Sequence, residues 1–417
     1  MMLSVAEAQQ AILSNIKRLD PETADLLSAL GRVLAEDVVS DVDLPPFDNS
    51  AMDGYAIRAD DVQGASIDRP VRLPVITDIP AGHPSEVEVQ SGTAARITTG
   101  AVLPPGADAI VPVEDTDDGA RGSSLLPASI GIHRSFKRGA FVRRAGEDVK
   151  RGECVLKAGA IVRPAEIALM AAVGYSRVKV YRRPRVALLA TGDELVEPER
   201  VPGPGQIRNV NEHATAALVT HYGGEPMRLG IARDRLDDVV MKLEGAIGQG
   251  ADLIVASAGV SVGAYDLVKD AVAARGSIDL WRVRMRPGKP IAFGNYRGVP
   301  FFGLPGNPVS AMLTFEQFVR PVLRVMAGFT HWRKATIEVV VHEAIESDGR
   351  ETYARAWVER DGDRWIARLS GEQGSNMLSS LARANALVIV PDGVTRLAAG
   401  AIAQAQMLDW PDDIDWR

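Results

Sequence analysis

Between residues 185 and 328, apolar strand-like runs alternate with amphipathic helical stretches, and this alternation restricts the possible folds more than any other feature of the chain. The apolar runs RVALLAT, ADLIVASA and VPFFG are each followed by turn residues and then by a helical pattern. Such an order is typical of parallel strands that helices cover on both faces. We therefore predict a doubly wound, mostly parallel α/β domain over residues 183–329.

The flanking segments predict three further parts, so that the chain is multidomain, α/β plus β. Short β-like runs separated by Gly and Pro predict an inserted β domain over residues 44–148. Helical patterns predict a helical N-terminal domain made of residues 1–43 and 149–182. In it, one helix begins at a capping box of Ser4 and Glu7, and a second covers residues 21–37. Period-two alternation predicts a C-terminal β domain over residues 330–417.

Composition and charge exclude several classes of function. The 417 residues carry a net charge of −7, which argues against nucleic-acid binding, because that needs a basic surface. A membrane helix needs roughly 20 apolar residues, and we find neither such a run nor a secretory signal. The single cysteine, Cys154, cannot form an internal disulfide, so we expect a cytoplasmic protein. The histidines are scattered, so a bound metal would be a hard ion held by carboxylates and phosphate.

Glycine-rich loops follow three of the apolar runs, at the strand ends where open α/β sheets bind ligands. They cover residues 191–194, 257–263 and 304–310. In the last loop Asn307 suits a helix N-cap and Pro308 the first helical position, so the helix N-terminus would face a bound anion. One such loop alone would be weak evidence, because ordinary turn chemistry accounts for it better. Three at one edge of a sheet favour a phosphate-binding pocket.

Acidic residues stand at the same strand ends. Glu194, Asp234 and Asp266 each follow a predicted strand or lie in the loop after it. If they converge, their mutual repulsion requires a cation, and Mg²⁺ bridging to a phosphate meets that need. The alternative is that Asp234 caps a helix and that Asp266 is an acid in a first helical turn.

The most basic stretch lies between Trp281 and Pro290. In a strand, Arg282, Arg284 and Arg286 would point to the same side and form a row that suits an oxyanion or phosphate. The alternative is the solvated face of an edge strand. In the inserted β block, the run PPFDNSAMDGYA crowds small, polar and acidic residues, and RRAGED places two cations beside two acids. Standing alone, RRAGED would be a surface turn with local ion pairs.

With these motifs in this order, the chain resembles the molybdopterin molybdenumtransferase family, the MoeA-type enzymes related to the E domain of gephyrin. The motifs that carry the resemblance are PPFDNSAMDGYA, ITTGAVLPPGADAIV, RRAGEDV, TGDEL, SAGVSVGAYD, MRPGKP and GLPGNPVSAM. The resemblance implies that the α/β domain is like molybdopterin-binding proteins. It also implies a homodimer with the active site between the subunits, and a contact with molybdopterin adenylyltransferase.

The activity that the resemblance implies is that of a molybdopterin molybdotransferase. Such an enzyme inserts molybdate into the dithiolene of adenylylated molybdopterin, with Mg²⁺-dependent hydrolysis and release of AMP. The implied catalytic acids are Asp53, Asp148, Glu194, Asp234 and Asp266, of which Asp234 and Asp266 would hold Mg²⁺. The implied molybdate contacts are Arg286, Lys289, Arg355 and Ser375. The implied substrate-binding residues are Thr99, Arg143, Thr191, Gly192, Gly259, Ser261, Arg282, Arg286, Lys289, Pro305, Gly306, Asn307 and Pro308.

Two departures and three rival functions accompany this interpretation. Arg282 and Arg286 stand where the family often has lysine, which keeps the charge and changes the geometry. Residue Ala258 stands where glycine is common. The rivals are a scaffold protein, a Mg²⁺-dependent nucleotide hydrolase and a molybdopterin carrier. The chain has no GxxxxGK[ST] loop, which removes the P-loop hydrolases, and a carrier would not need Asp53 or Asp148.

Overall fold

The structure, a computed structural model, describes residues 2–119, 125–257 and 267–410. The chain divides into two compact units. The first unit comprises Met1–Glu22, Gly31–Ala35 and Lys179–Arg417, and the second comprises Thr23–Leu30 and Glu36–Val178. The predicted α/β and C-terminal β regions both fall in the first unit.

A seven-stranded sheet is the centre of the first unit. Its strands are β1 (Met2–Leu3), β2 (Arg185–Thr191), β3 (Glu225–Ala232), β4 (Leu253–Ser257), β5 (Gly276–Val283), β6 (Pro290–Tyr296) and β7 (Val299–Leu304), in the order β1-β5-β6-β7-β4-β2-β3. Within this sheet only β6 runs antiparallel to its neighbours. The prediction of a mostly parallel sheet is therefore confirmed.

Helices cover both faces of this sheet. The α-helices formed by the described residues are α1 (Val5–Leu13), α2 (Pro164–Ala172), α3 (Val210–His221), α4 (Leu236–Gly248), α5 (Leu267–Arg275), α6 (Pro308–Thr314), α7 (Arg320–Met326) and α8 (Leu378–Ala382). Alternate residues of β2 face opposite ways: Val186 and Leu188 join the core under α1, α3 and α6, whereas Ala187 and Leu189 join the core under α4 and α5. This doubly wound arrangement follows from the period-two side-chain geometry of a strand buried on both faces.

The first residues of the chain belong to this sheet. β1 pairs in parallel with β5 at the sheet edge, and α1 begins at the predicted Ser4–Glu7 capping box. Apolar residues of α1 (Val5, Ala8 and Ile12) are buried in the same core as the sheet. The sequence prediction grouped these residues with a helical domain, because a two-residue strand such as β1 has no period to detect.

Residues 308–326 form one continuous helical stretch that begins at Pro308, as predicted, and its middle is a π-helix over Phe315–Val319. Pro321 has no N–H, so the carbonyl of Gln317 loses its usual partner one turn later. That carbonyl instead accepts a hydrogen bond from Nε2 of Gln9 on α1, at 2.9 Å. The local widening therefore has an identifiable cause, and it ties α1 to this helix.

A second sheet of six strands forms the C-terminal part of the first unit, as predicted. Its strands are Met285–Arg286, Thr336–Val341, Glu351–Asp361, Arg364–Leu369, Ala386–Val390 and Ile402–Met407. Two short pairs accompany the sheets of this unit, Leu195–Val196 with Ile207–Arg208 and Ile345–Glu346 with Arg396–Leu397. Met285–Arg286 pairs with Glu351 and Thr352, so the basic stretch after β5 enters the C-terminal sheet.

The second unit is built around a five-stranded sheet, which confirms the predicted β-rich character of this region. Its strands are Gly54–Ile57, Val71–Ile79, Ala94–Ile97, Ala109–Pro112 and Ser129–Ile132. Buried apolar clusters lie on both of its faces. The unit also contains α2, single turns of 3-10 helix at Ala59–Val62 and Val113–Asp115, and two strand pairs, Val38–Val39 with Cys154–Leu156 and Asn49–Ser50 with Val142–Arg143.

The prediction of a helix over residues 21–37 is wrong. Residues Pro21–Asp25 form a strand, as do Arg177–Tyr181, and the residues after Asp25 form turns. Leu27, which the helical pattern required to be buried, is 81% exposed. Leu34 instead makes an antiparallel bridge to Val180. Long-range backbone pairing has overridden a helical spacing of leucines, as tertiary context often does.

Within the ranges given above, no helix combines the length and apolar character that crossing a membrane requires.

Candidate active site

The loops predicted to bind ligands leave the sheet side by side. Thr191 at the end of β2 pairs with Ala232 of β3, and Ser257 at the end of β4 pairs with Leu304 of β7. Because these four strands are parallel neighbours, the loops that follow them start at one edge of the sheet. Asn211, in the first turn of α3, donates a hydrogen bond from Nδ2 to the carbonyl of Gly306 at 2.8 Å. This contact fixes the loop after β7 against α3.

A cavity of about 660 Å³ opens beside the loop after β7. Its lining comes from the segment between β5 and β6, from the loop after β7, and from two loops of the C-terminal sheet. The lining residues are Arg286, Pro287, Gly288, Lys289, Pro290, Pro305, Gly306, Asn307, Ser310, Arg350, Gln373, Gly374 and Ser375. Of the residues singled out in the sequence, the structure brings Arg286, Lys289, Pro305, Gly306, Asn307 and Ser375 together here.

The segment 286–289 turns tightly over the helix that follows β7. The loop is closed by a hydrogen bond from the N–H of Val283 to the carbonyl of Lys289, at 2.8 Å. Gly288 has a φ of +110°, and a Cβ there would lie 2.6 Å from Oγ1 of Thr314. Only glycine therefore fits, because both the backbone angle and the close approach exclude a side chain. This turn positions the side chains of Arg286 and Lys289 at the cavity.

Three cationic side chains line the cavity: Arg286, Lys289 and Arg350. Over the described parts of the chain, neither the Arg286 guanidinium nor the Lys289 ammonium makes a hydrogen bond or an ion pair. Arg350 was not singled out in the sequence, since its contact with this segment depends on pairing between Met285 and Glu351. The cavity therefore offers positive charge that is free to meet an anion.

The helix N-terminus at Asn307 adds polar groups to the same cavity. Asn307 occupies the N-cap position, as predicted, but its side chain does not cap the helix. Its Nδ2 donates instead to Oγ of Ser375, at 3.1 Å. The first-turn N–H groups are therefore left without a side-chain acceptor, and the helix dipole favours an anion there.

Arg355, predicted to contact molybdate, lies instead behind the loop that carries Ser375. It is fully buried, and it donates to the carbonyls of Glu372 at 2.8 Å and Gly374 at 3.1 Å. Burial lowers the pKa of its guanidinium to about 10. The side chain of Gln373 hydrogen-bonds both backbone groups of Arg355. Arg355 thus holds the loop in place and is absent from the cavity lining.

The predicted row of arginines is broken. β5 ends at Val283, and Met285–Arg286 belongs to the other sheet, so the three arginines do not share one strand. Arg284 forms an ion pair with Asp392, whose Oδ1 lies 2.8 Å from Nε. Arg282 is exposed and does not line the cavity. Of the row, only Arg286 reaches the cavity.

The acids at the sheet edge are partly gathered. The N–H of Asp193 lies 3.4 Å from Oδ2 of Asp234, and the N–H of Asp234 lies 3.4 Å from Oδ1 of Asp193. Asp193 was not singled out as a site residue, although it stands in the TGDEL motif. Glu194 folds over Gly192, where a Cβ would lie 2.3 Å from its carboxylate. Asp193, Asp234 and Glu194 are all exposed to solvent.

The second predicted Mg²⁺ ligand, Asp266, lies outside the described residues, as do Gly259 and Ser261. Within the residues that the structure does describe, no group of three His, Cys, Asp or Glu side chains could hold a metal ion. Asp193 and Asp234 nevertheless supply the hard carboxylate oxygens that Mg²⁺ prefers.

In the second unit, the structure brings Asp53 and Thr99 together. The N–H and the hydroxyl of Thr99 both donate to Oδ1 of Asp53, at 2.7 and 2.9 Å. Asp148 and Arg143 are exposed, and within the described chain their side chains have no hydrogen bond or ion pair. The neighbouring Arg144 is neutralised by Asp48. This unit therefore presents exposed carboxylates on ordered loops.

The chain matches the sequence models of three family regions. Residues 3–174 match the MoeA N-terminal region (domain I and II), residues 187–325 match a probable molybdopterin binding domain, and residues 338–408 match the MoeA C-terminal region (domain IV).

Relatives of known name cover nearly the whole chain. A molybdopterin molybdenumtransferase of Nostoc sp. is 40% identical over 96% of this chain and 92% of its own length. Molybdopterin molybdenumtransferase 2 of Mycobacterium tuberculosis is 40% identical over 97% of this chain and 99% of its own length. A solved molybdopterin biosynthesis MoeA protein from Pyrococcus horikoshii is 31% identical, covers 98% of this chain and 100% of its own, and has a TM-score of 0.80. The chain therefore belongs to the molybdopterin molybdenumtransferase family, the transferases of molybdenum cofactor biosynthesis.

Proposed function

We propose that this protein binds molybdate in the cavity beside Asn307 and inserts its molybdenum into the dithiolene of molybdopterin. The observation that carries the proposal is the set of three cations, Arg286, Lys289 and Arg350, around one cavity with the Ser375 hydroxyl. Hydrogen-bond donors and positive charge fixed in advance stabilise an oxyanion without reorganisation during the reaction. An uncapped helix N-terminus at the same cavity adds to this potential.

We further propose that the incoming substrate is adenylylated molybdopterin and that AMP leaves after Mg²⁺-dependent hydrolysis. The glycine-rich loops after β2 and β7 suit phosphate groups, because backbone N–H groups can approach closely there. Asp234, together with Asp193 and the predicted ligand Asp266, would hold Mg²⁺. That ion would offset the charge of the phosphoanhydride. The family name supports the insertion of molybdenum, and the loops and acids support the adenylylated substrate.

The carboxylates have a second chemical task. Each thiol of the dithiolene must lose its proton before its sulphur can bind molybdenum, so a proton acceptor is needed near the sulphurs. Asp53, Asp148 and Glu194 are solvent-accessible carboxylates that could accept these protons or position the attacking water. We propose that the working enzyme is a cytoplasmic homodimer in which two copies complete each site. Its substrate would come from a molybdopterin adenylyltransferase.

Replacing Arg286 by Ala should raise the molybdate concentration needed for half-maximal activity by about 10-fold, since one unpaired cation at the cavity is lost. The measurement is the rate of molybdenum cofactor formation from adenylylated molybdopterin over a range of molybdate concentrations. Arg396→Ala is the control, because Arg396 is an exposed arginine paired with Glu346 and does not line the cavity. If Arg286→Ala were equally slow at every molybdate concentration, the assignment of the cavity to molybdate would be wrong.

Replacing Asp234 by Asn should slow AMP release about 10-fold at low Mg²⁺, because an amide oxygen is a weaker ligand than a carboxylate. The expected signature is partial recovery at high Mg²⁺, measured as AMP formed from adenylylated molybdopterin. Asp238→Asn is the control, since Asp238 also accepts a backbone hydrogen bond, from Arg233, within the same turn. A rate that is unchanged at every Mg²⁺ concentration would exclude Asp234 as a metal ligand.

A further inference from the structure

Arg350 is the one cavity cation whose charge is already paired within the described chain. Its Nε lies 3.0 and 3.1 Å from the two carboxylate oxygens of Asp348, and its Nη2 lies 2.5 Å from Oδ2. Its Nη1 donates to the carbonyl of Met285, at 2.9 Å. The guanidinium is therefore held between a fixed carboxylate and the segment that carries Arg286.

These contacts leave some N–H groups of Arg350 available to bind a ligand. A guanidinium has five N–H groups, and the contacts to Asp348 and Met285 occupy three of them. Two N–H groups remain for an anion in the cavity. An anion that binds there must share Arg350 with Asp348.

The net charge of the groups around the cavity is equal in size and opposite in sign to that of a dianion. Arg286, Lys289 and Arg350 contribute three positive charges, and Asp348 contributes one negative charge, which leaves +2. Asp348 stays ionised at neutral pH, because Arg350 holds its pKa at about 2, with a smaller effect from Arg286. Molybdate at neutral pH is a tetrahedral anion with charge −2.

We propose that Asp348 is a built-in counter-anion that weakens the hold of this cavity on molybdate and so sets its affinity and its preference among oxyanions. The inference rests on the proposed binding of molybdate in this cavity. The physical reason is that molybdate must leave the cations when molybdenum passes to sulphur. Binding the substrate as tightly as possible would lower its free energy without accelerating transfer. A fixed carboxylate on the same guanidinium opposes such overbinding.

The test compares two tetrahedral oxyanions that differ in charge, molybdate (−2) and perrhenate (−1). Their dissociation constants are measured by calorimetry on the full-length protein and on Asp348→Asn. Coulomb energy is proportional to the ligand charge. Removing the Asp348 carboxylate should therefore lower the dissociation constant about 10-fold for molybdate and about 3-fold for perrhenate. If the carboxylate only oriented Arg350, its loss would instead raise both dissociation constants, because both anions would bind more weakly.

Asp392→Asn is the matched control. Asp392 pairs with Arg284, a neighbouring arginine outside the cavity lining, so its removal should leave both dissociation constants within about twofold of the wild-type values. Asp348→Ser provides a second variant that lacks the carboxylate. It should shift the dissociation constants of both anions in the same direction as Asp348→Asn.

Weaker binding of molybdate to both Asp348 variants, or an equal change for the two anions, would overturn the inference while leaving the proposed function intact. If the wild-type protein bound neither anion, or bound molybdate equally well after Lys289→Ala, the proposed function would fail first and the inference with it.

Discussion

Replacing Asp53 by Asn should slow molybdenum insertion by about 100-fold or more without unfolding the protein. The substitution keeps an oxygen at the position of Oδ1, which can still accept the hydrogen bonds from the N–H and hydroxyl of Thr99. The loop geometry should therefore persist, and only the negative charge disappears. A large loss of rate would assign that charge to the reaction, as proton acceptor or as ligand to a cation.

The rate should be measured with adenylylated molybdopterin at saturating molybdate, together with the thermal midpoint of unfolding. Asp48→Asn is the control from the same loop region, because Asp48 also accepts a backbone hydrogen bond, from Ala145, while pairing with Arg144. We expect Asp48→Asn to stay within a few-fold of the wild-type rate. Full complementation of a molybdenum-cofactor-deficient strain by Asp53→Asn at physiological molybdate would contradict the assignment.

The same variant tests whether two copies build each site. If the Asp53 loop of one copy serves the cavity of another, a mixed dimer of Asp53→Asn with Arg286→Ala has one site with both substitutions and one site with neither. The rate of the mixture should be measured well below half-saturating molybdate, where Arg286→Ala alone is about 10-fold slow. An equal mixture should then recover about a quarter of the wild-type rate, since half of the dimers are mixed and each has one intact site. Recovery no greater than the sum of the separate variants would show that each site is built within one copy.

The sequence predicted those parts of the fold whose signal is local and periodic. The strands β2, β3 and β4, the helices α1 to α4 and the C-terminal strands follow from apolar runs, caps and period-two alternation. The sequence missed elements that exist only through distant partners. β1 is two residues long and is a strand only because β5 lies beside it, and Pro21–Asp25 adopts strand geometry where leucine spacing favoured a helix.

The residues of the candidate site also divide into those with a local sequence signal and those placed by distant backbone pairing. Arg286, Lys289 and Asn307 were identified because they stand in distinctive motifs after strands. Arg350 was missed because it reaches the cavity through pairing between Met285 and Glu351, which no local pattern records. Only the resemblance to the family implied Arg355 as a molybdate contact. Here it is buried because backbone carbonyls of one loop satisfy its N–H groups.

Replacing Gly288 by Ala should raise the dissociation constant for molybdate by about 100-fold and lower the free energy of unfolding by about 3 kcal/mol. The new Cβ would meet Oγ1 of Thr314 at 2.6 Å, and the φ of +110° is one that L side chains rarely adopt. Thr314 is fully buried in a helix and cannot move aside, so the turn must shift. Arg286 and Lys289 flank this turn and would lose their common orientation toward the anion. Calorimetric binding of molybdate and denaturant unfolding measure the two effects.

Two further variants separate the steric collision from the backbone angle. Gly298 has a φ of +87°, and a Cβ added there would meet no atom within 4 Å, so Gly298→Ala should cost only about 1 kcal/mol and leave molybdate binding unchanged. In the double variant Gly288→Ala with Thr314→Ala, the nearest remaining atoms belong to Met285, at 3.5 and 3.6 Å, which is ordinary contact. Truncating Thr314 should therefore restore part of the molybdate affinity, and the coupling between the two positions measures the collision. If Gly288→Ala bound molybdate as tightly as the wild type, this turn would not be what holds the cations at the cavity.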